Sequence, residues 1–248
     1  MAHWKRPEGP LNVWRIVDGY ERMEDGSKKP IKFSIQDIPD DESRRQEVLD
    51  HFYDYFLEDE PVSKSTKIKQ DPDGVADFQS VWNYALDQRV VIGCYKLDSD
   101  GKIDKLVGAN IVFMVTKDSS KDMKNFKSEN FKKIWRLFED LVSNADVCKI
   151  YNVDKYISSI SLSVLPEYRG QKLGQYILET RDDLGKKYGF PATSTMFTAA
   201  ASQRQAERAG FEEKFSKNYA DIVDENGKPQ FPNITSKCVK IMMKRFAH

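Results

Sequence analysis

Histidine is scarce in this chain, with three among 248 residues, namely His3, His51 and His248. Two of the three stand at the ends of the sequence. That leaves too few to build a histidine-rich metal site or a Ser-His-Asp triad. We therefore expect no metal cofactor.

Cysteine is equally scarce. Cys94, Cys148 and Cys238 are odd in number and widely spaced, and each stands among apolar residues. Such cysteines are typical of buried, reduced thiols rather than of a disulfide framework. Reduced thiols indicate a cytoplasmic protein.

No excess of charge is present, because 39 Lys and Arg balance 39 Asp and Glu. The broad basic surface that nucleic acids bind is therefore not expected. No apolar run approaches the ~20 residues of a membrane-spanning helix, and "MAHWKRPEGPLNVW" lacks the apolar segment of a secretory signal. We expect no nucleic-acid or membrane partner, and a monomer, since no obvious exposed apolar stripe demands a second copy.

What the sequence does contain is a mixture of strand and helix periods. Residues 1–30 are rich in Gly, Pro and charge and predict an irregular N-terminal extension, whereas 31–248 predict a single domain. The spacing predicts strands at 31–38, 105–115, 157–165, 193–198 and 237–246. It also predicts one helix that starts after a cap at Asp40 or Asp41, and further helices at 73–86, 131–142, 172–188 and 200–209. The strand at 157–165 is expected to place Ile160, Leu162 and Val164 on one face. This mixed order predicts an α/β (α+β) fold.

The junction "EYRGQKLG" (167–174) joins the 157–165 strand to the 172–188 helix. The first N–H groups of a helix have no intrahelical partner, and the helix dipole makes that end partly positive. Gly170 and Gly174 allow close approach to the backbone, while Arg169 and Lys172 add charge. The pattern indicates a pyrophosphate site, although a polar loop with a solvated basic pair explains the same residues. It is neither a Walker loop nor a dinucleotide fingerprint.

"LSVLPEYRGQKLGQYIL" resembles motif A of the GNAT superfamily of N-acetyltransferases. Arg169 and Gly174 match the ends of that motif, whereas Lys172 stands where the family prefers Gly. The resemblance implies a mixed, mostly antiparallel central sheet with helices on both faces, and acetyl-CoA as cosubstrate. It implies these coenzyme A-binding residues: Leu162, Ser163, Val164, Arg169, Gly170, Gln171, Lys172, Leu173 and Gly174.

Three further segments resemble the insect-type arylalkylamine N-acetyltransferases: "HFYDYFLEDEPVS", "FTAAASQRQAERAGF" and the C-terminal "YADIVDENGKPQF" with "KCVKIMMKRF". The resemblance implies that Glu60 is the catalytic base and that Thr198 and Ser202 face the active site. A solvated acidic corner at Glu60, and ordinary helix capping by Thr198 and Ser202, are the alternatives. Ala201 stands where related enzymes carry Tyr, which argues against a tyrosine acid.

The resulting hypothesis is direct transfer of an acetyl group from acetyl-CoA to a primary amine in a ternary complex, and the resemblance implies that the amine is an arylalkylamine. Another acceptor (a polyamine, agmatine or a protein N-terminus) or a non-catalytic acyl-CoA-binding module stays open. Helical spacing predicts that the aromatic residues Phe52, Tyr53, Phe56, Trp82 and Trp135 pack in the core. Segments 62–80 and 116–130 are expected to contribute pocket walls.

Overall fold

One eight-stranded sheet organises the chain, in the order β1-β2-β3-β4-β5-β6-β8-β7. The computed structural model describes residues 4–116 and 125–247. Neighbouring strands are antiparallel except for β5 and β6, which are parallel. The strands are β1 Val13–Arg22, β2 Lys28–Asp37, β3 Ile92–Leu97, β4 Ile103–Thr116, β5 Lys155–Val164, β6 Ala192–Phe197, β7 Glu212–Asn218 and β8 Cys238–Arg245.

Helices cover both faces of this sheet, which confirms the predicted α/β (α+β) architecture of a mixed, mostly antiparallel sheet. The helices are α1 Glu42–His51, α2 Leu57–Asp59, α3 Pro61–Ser65, α4 Pro72–Asp87, α5 Glu129–Asn144, α6 Val147–Tyr151, α7 Leu173–Tyr188 and α8 Ala200–Arg208. A π-helical stretch, Phe52–Phe56, joins α1 to α2. The helices predicted from spacing are thus confirmed, and within the described ranges no helix combines the length and apolar character needed to cross a membrane.

Local signals set the limits of the helices around the later site. The Asp41 side chain accepts a hydrogen bond from Arg44 N and caps α1, as the sequence predicts. Pro61 disfavours helical geometry in the residue before it. Glu60 is accordingly extended, with φ −70° and ψ 125°, and the chain turns there between α2 and α3.

The prediction of an irregular segment over 1–30 is wrong for Val13–Arg22 and for the start of β2, which pair with each other at the edge of the sheet. An edge strand has one neighbour and needs little apolar patterning, so its side chains gave no clear period. Gly19 is needed here because a Cβ at this position would lie 2.4 Å from a Phe33 ring carbon and 2.7 Å from Gln171 Oε1. The division into one domain stays a prediction.

Two apolar layers flank the sheet. One packs α1, α4, α5 and α6 against it around Phe52, Trp82 and Phe131, and the other packs α7 around Ile177 and Leu184. Phe52 and Trp82 are fully buried, as predicted. The prediction is wrong for Tyr53, which is exposed and has the Lys69 ammonium over its ring.

All three cysteines lie within the described part of the chain and are thiols. Cys94 is buried, as predicted, and burial raises the pKa of its thiol. Cys148 and Cys238 are only half-buried, because they lie near the ends of α6 and β8 rather than under the helices. Of the three histidines, His3 and His248 lie outside the described residues.

The middle of β5 does not alternate as predicted. Ile111 pairs with Ser161 but Val112 pairs with Ser159, so Ile160 is an extra residue in a β-bulge. The bulge turns Ile160 toward the α4 and α5 layer, while Leu162 and Val164 contact the α7 layer. The three side chains therefore do not share one face, and bulges of this kind often re-aim side chains next to active sites.

Candidate active site

A cavity of about 330 Å³ opens where β5 and β6 separate. The two strands pair only from Ile157–Ser159 to Thr193–Thr195. Both strands continue past that point, and the residues that follow, 160–164 and 196–199, line opposite sides of the cavity. The gap leaves one backbone edge of β5 without a partner strand at the predicted coenzyme A-binding residues Leu162, Ser163 and Val164, although Val164 O accepts a hydrogen bond from Arg169 Nε. An extended ligand can add there as a strand.

The loop between β5 and α7 offers a row of backbone donors. The main-chain N–H groups of residues 170–175 make no hydrogen bond to any described residue. Gly170 has φ +85° and Lys172 has φ +63°, so two residues of the loop adopt the left-handed backbone conformation. Such an arrangement at the start of a sixteen-residue helix suits a diphosphate.

Two side chains of this loop are already engaged. Arg169 Nε donates to Val164 O at 2.9 Å, and its Nη2 donates to Asp59 Oδ2 at 2.5 Å. The Gln171 amide exchanges two hydrogen bonds with the backbone of Tyr20, at 2.7 and 2.9 Å. Gln171 therefore fastens the loop to β1, and its main-chain N–H is the group that remains for a ligand.

The predicted base, Glu60, also lines the cavity, next to the Asp59 that binds Arg169. Its carboxylate caps α3 by accepting hydrogen bonds from Val62 N at 3.0 Å and Ser63 N at 2.6 Å. These two bonds hold the carboxyl group in one orientation. Glu60 is half-buried, whereas Glu58 and Asp59 are exposed, so the solvated corner describes its neighbours and not Glu60.

Thr198 and Ser202 come together on the same cavity wall, at the start of α8. Neither side chain caps this helix, because Ala199 occupies the cap position without a side-chain bond. Ser202 Oγ donates instead to Ala199 O at 2.9 Å. Ala201 also lines the cavity, so this position contributes a methyl group and not a tyrosine hydroxyl.

Solved structures resemble this chain closely. A putative arylalkylamine N-acetyltransferase 7 from the yellow fever mosquito Aedes aegypti is 30% identical, with a TM-score of 0.85, and the match covers 98% of this chain and 99% of that one. The chain belongs to the insect arylalkylamine N-acetyltransferases. Arylalkylamine N-acetyltransferase 2 from Aedes aegypti is 25% identical over 87% of this chain and 99% of its own, with a TM-score of 0.76.

The same fold occurs in a Drosophila melanogaster polyamine N-acetyltransferase. It is 18% identical, with a TM-score of 0.68, and the match covers 82% of this chain and 96% of that one. No protein-family model and no curated protein matches the sequence. Among the described residues, no group of three or more His, Cys, Asp or Glu side chains lies close enough together to hold a metal ion.

Aromatic residues build most of the remaining wall in this arylalkylamine N-acetyltransferase. The aromatic side chains that line the cavity are Phe56, Phe78, Phe113, Phe131, Trp135, Phe138 and Phe197. Phe56 and Trp135 therefore do more than fill the core, because they also face the cavity. Segment 62–80 contributes Val62 and Phe78 as expected. Of segment 116–130, residues 117–124 lie outside the described residues, so that prediction is not tested there; the residues of α5 that line the cavity include Phe131 and Trp135.

Sequence reasoning missed Tyr219 in this N-acetyltransferase. Its hydroxyl donates to Thr198 O at 2.9 Å. Burial, and then the negative charge of nearby Glu60, raise the pKa of Tyr219, so the hydroxyl remains a donor. Tyr219 thus links the Glu60 side of the cavity to the Thr198 wall from a distant part of the sequence, where no local motif marks it.

Proposed function

We propose that the chain transfers an acetyl group from acetyl-CoA to a primary amine, and that the amine is an arylalkylamine. The observation that carries this proposal is that one cavity is lined both by Arg169, where the loop with the free backbone N–H groups begins, and by the fixed carboxylate of Glu60. The N–H groups are suited to bind the diphosphate of the acyl donor, and the carboxylate is suited to accept a proton from the amine.

The residues 169–174 and the β5 edge would hold the donor. Main-chain N–H groups of Gly170, Gln171, Lys172, Leu173 and Gly174 would face the diphosphate, and the Lys172 ammonium would add charge. Arg169 would exchange its Asp59 partner for a phosphate oxygen, since an exposed ion pair contributes little stability. The unpaired backbone of Leu162, Ser163 and Val164 would bind the pantetheine amides, and acetyl-CoA supplies the thioester.

Glu60 would act on the amine. Alkylamines have a pKa of about 10.4, by analogy with lysine, and are almost wholly protonated near neutral pH. Nitrogen attacks a carbonyl only after it loses that proton, so a nearby base is required. The carboxylate held by Val62 N and Ser63 N has outward lone pairs for this task, directly or through water.

Thr198 and Ser202 would orient the amine or carry protons. In the balanced reaction the C–N bond forms and the C–S bond breaks. Of the two protons that the ammonium loses, one passes through Glu60 to solvent and the other protonates the departing thiolate, which leaves as coenzyme A. No cysteine is among the described residues that line the cavity, which favours direct transfer in a ternary complex. Most of the rate enhancement then comes from positioning, on the order of 7–11 kcal/mol.

The aromatic walls favour an acceptor with an apolar, aromatic body, because such a body loses little hydration there and packs against ring faces. A cytoplasmic location and a monomeric state are further parts of the proposal. The location is supported by the thiol form of the cysteines, and the monomeric state by the small number of large apolar side chains that are exposed among the described residues.

The test is a panel of amines (aryl-ethylamines, agmatine, polyamines and an N-terminal peptide) with acetyl-CoA, assayed by thiol release. The proposal expects arylalkylamines to give the highest kcat/KM. Glu60→Gln should keep coenzyme A affinity and lose most turnover near neutral pH, with Glu58→Gln as matched control. Binding without thiol release for every amine would contradict the proposal and indicate a non-catalytic module.

A further inference from the structure

Three hydroxyl groups line the closed end of the cavity, where β5 and β6 stop pairing: Ser159, Ser161 and Thr195. Each accepts a hydrogen bond from a donor behind it. The pairs are Asn110 Nδ2 to Ser159 Oγ at 2.8 Å, Trp82 Nε1 to Ser161 Oγ at 3.0 Å, and Arg181 Nη1 to Thr195 Oγ1 at 2.7 Å. We call Ser159, Ser161 and Thr195 the hydroxyl cluster.

A hydroxyl carries one hydrogen, and in each member of the hydroxyl cluster that hydrogen is unused. None of the three donates to an atom in the described ranges. Thr193 is different: its hydroxyl also accepts from Arg181, at 3.0 Å, but donates to Ile157 O at 2.8 Å. The hydroxyl cluster therefore presents three hydrogen-bond donors to the cavity, with lone pairs already directed at the donors behind them.

Arg181 adds a full positive charge behind the α7 side of this cluster. It contacts Thr195 directly and Ser159 through Asn110, whereas Ser161 is held by Trp82 of α4. The Arg181 side chain is almost completely buried, and burial lowers the pKa of its guanidinium. Four of its hydrogen bonds go to neutral oxygens: two to Asn110 Oδ1 and one each to Thr193 and Thr195. No carboxylate in the described part of the chain pairs with it. A buried charge without a counter-ion is costly, so this end of the cavity favours a negatively charged ligand.

We propose that the hydroxyl cluster, with Arg181 behind it, binds a carboxylate carried by one of the two reactants. The inference rests on the proposed acetyltransfer and adds a specificity to it. A carboxylate only accepts hydrogen bonds, and the cluster only donates them. Glu60 lines the same cavity and is the proposed acceptor of the amine proton, so a ligand with an amine at one end and a carboxylate at the other could meet both groups. A carboxylate on the acyl group would reach the same cluster from the donor side.

Two assay arms distinguish these sources. The first compares phenethylamine with its para-carboxylate derivative, both with acetyl-CoA. The second compares acetyl-CoA with malonyl-CoA, both with phenethylamine. Hydrogen bonds to charged groups correspond to roughly 10- to 100-fold in kcat/KM, so we expect at least a tenfold preference for the carboxylate member in one arm.

Thr195→Val removes one donor and nearly preserves shape, and it should abolish most of that preference. Thr193→Val is the matched control, because it lies on the same strand, contacts the same arginine and should retain the preference. Ser159→Ala is a second variant should Thr195→Val not fold, since Asn110 Nδ2 keeps its bond to Ser161 O at 2.6 Å.

Each possible result either supports or overturns carboxylate binding by the hydroxyl cluster. A preference in either arm that Thr195→Val or Ser159→Ala reduces and Thr193→Val keeps supports the proposal. Equal rates for both members of both pairs overturn it. The proposal is also overturned if Thr195→Val lowers kcat/KM by the same factor for the carboxylate-bearing reactant and for its counterpart without a carboxylate. That result would indicate that Thr195 stabilises charge formed during the reaction. Phenethylamine acetylated without any such preference would refute this inference alone, whereas no acetylation at all would refute the proposed function.

Discussion

Acid should destabilise this protein through His51, the histidine of α1. Its side chain is buried, and its Nε2 has no hydrogen-bond partner within the described residues. The aromatic rings of Phe52 and Tyr55 lie beside it, with ring centroids at 5.4 and 5.5 Å. Burial lowers the pKa of His51 from 6.5 to about 4, because a charged imidazole would lose its hydration there.

The sign and size of the effect follow from this shift. Between about pH 6.5 and pH 4, His51 binds a proton in the unfolded chain but stays neutral in the folded chain. The free energy of unfolding therefore falls as pH falls through this window, by up to about 1.4 kcal/mol per pH unit. The loss is about 2 kcal/mol at pH 5 and about 3 kcal/mol at pH 4, it approaches about 3.4 kcal/mol below pH 4, and the full stability is present well above pH 6.5.

Urea unfolding near pH 7.5 and pH 5 measures this loss, with wild type and His51→Gln compared. Glutamine does not titrate, so other groups contribute equally to both proteins and cancel in the difference. We expect the wild type to lose about 2 kcal/mol more than the variant between the two pH values. Equal losses would refute the reasoning and show that His51 is readily protonated in the folded protein.

The coenzyme A loop yields three further predictions. Gly170→Ala should lower the free energy of unfolding by about 1 kcal/mol, because its φ of +85° disfavours a Cβ; thermal melts measure this, and an unchanged Tm would contradict it. Lys172→Gly should keep or raise stability by up to about 1 kcal/mol, since Lys172 also has positive φ, yet weaken coenzyme A binding through loss of the ammonium. Tighter binding in that variant would count against a phosphate role. Asp59→Asn should change stability by less than about 1 kcal/mol and strengthen coenzyme A binding, because Arg169 loses its competing partner; weaker binding would argue against release of Arg169.

Features governed by neighbouring residues were predictable from the sequence. The break at Glu60 follows from Pro61, the start of α1 from the Asp41 cap, and the loop before α7 from its glycines. Each depends on interactions within a few residues, where backbone sterics and hydrogen bonding leave few choices.

Features governed by distant partners were not predictable. The edge strand β1 forms because β2 pairs with it, and the bulge at Ile160 depends on its register with β4. Tyr219 reaches Thr198 across 21 residues, and Arg181 reaches Asn110 across 71. Side chains that meet only after the sheet forms leave no spacing in the sequence, so the closed end of the cavity appears only in the folded chain.

The central claim is that backbone N–H groups of residues 170–175 bind the diphosphate of the acyl donor. Isothermal titration with coenzyme A, on wild type and Gly174→Trp, tests it most directly. A Cβ at Gly174 would have Gln205 Cγ, at 3.9 Å, as its nearest neighbour, so a large side chain there has room to fold but would cover the donors. We predict micromolar binding by wild type and none by Gly174→Trp with an unchanged Tm, whereas equal affinity in both proteins would contradict the account.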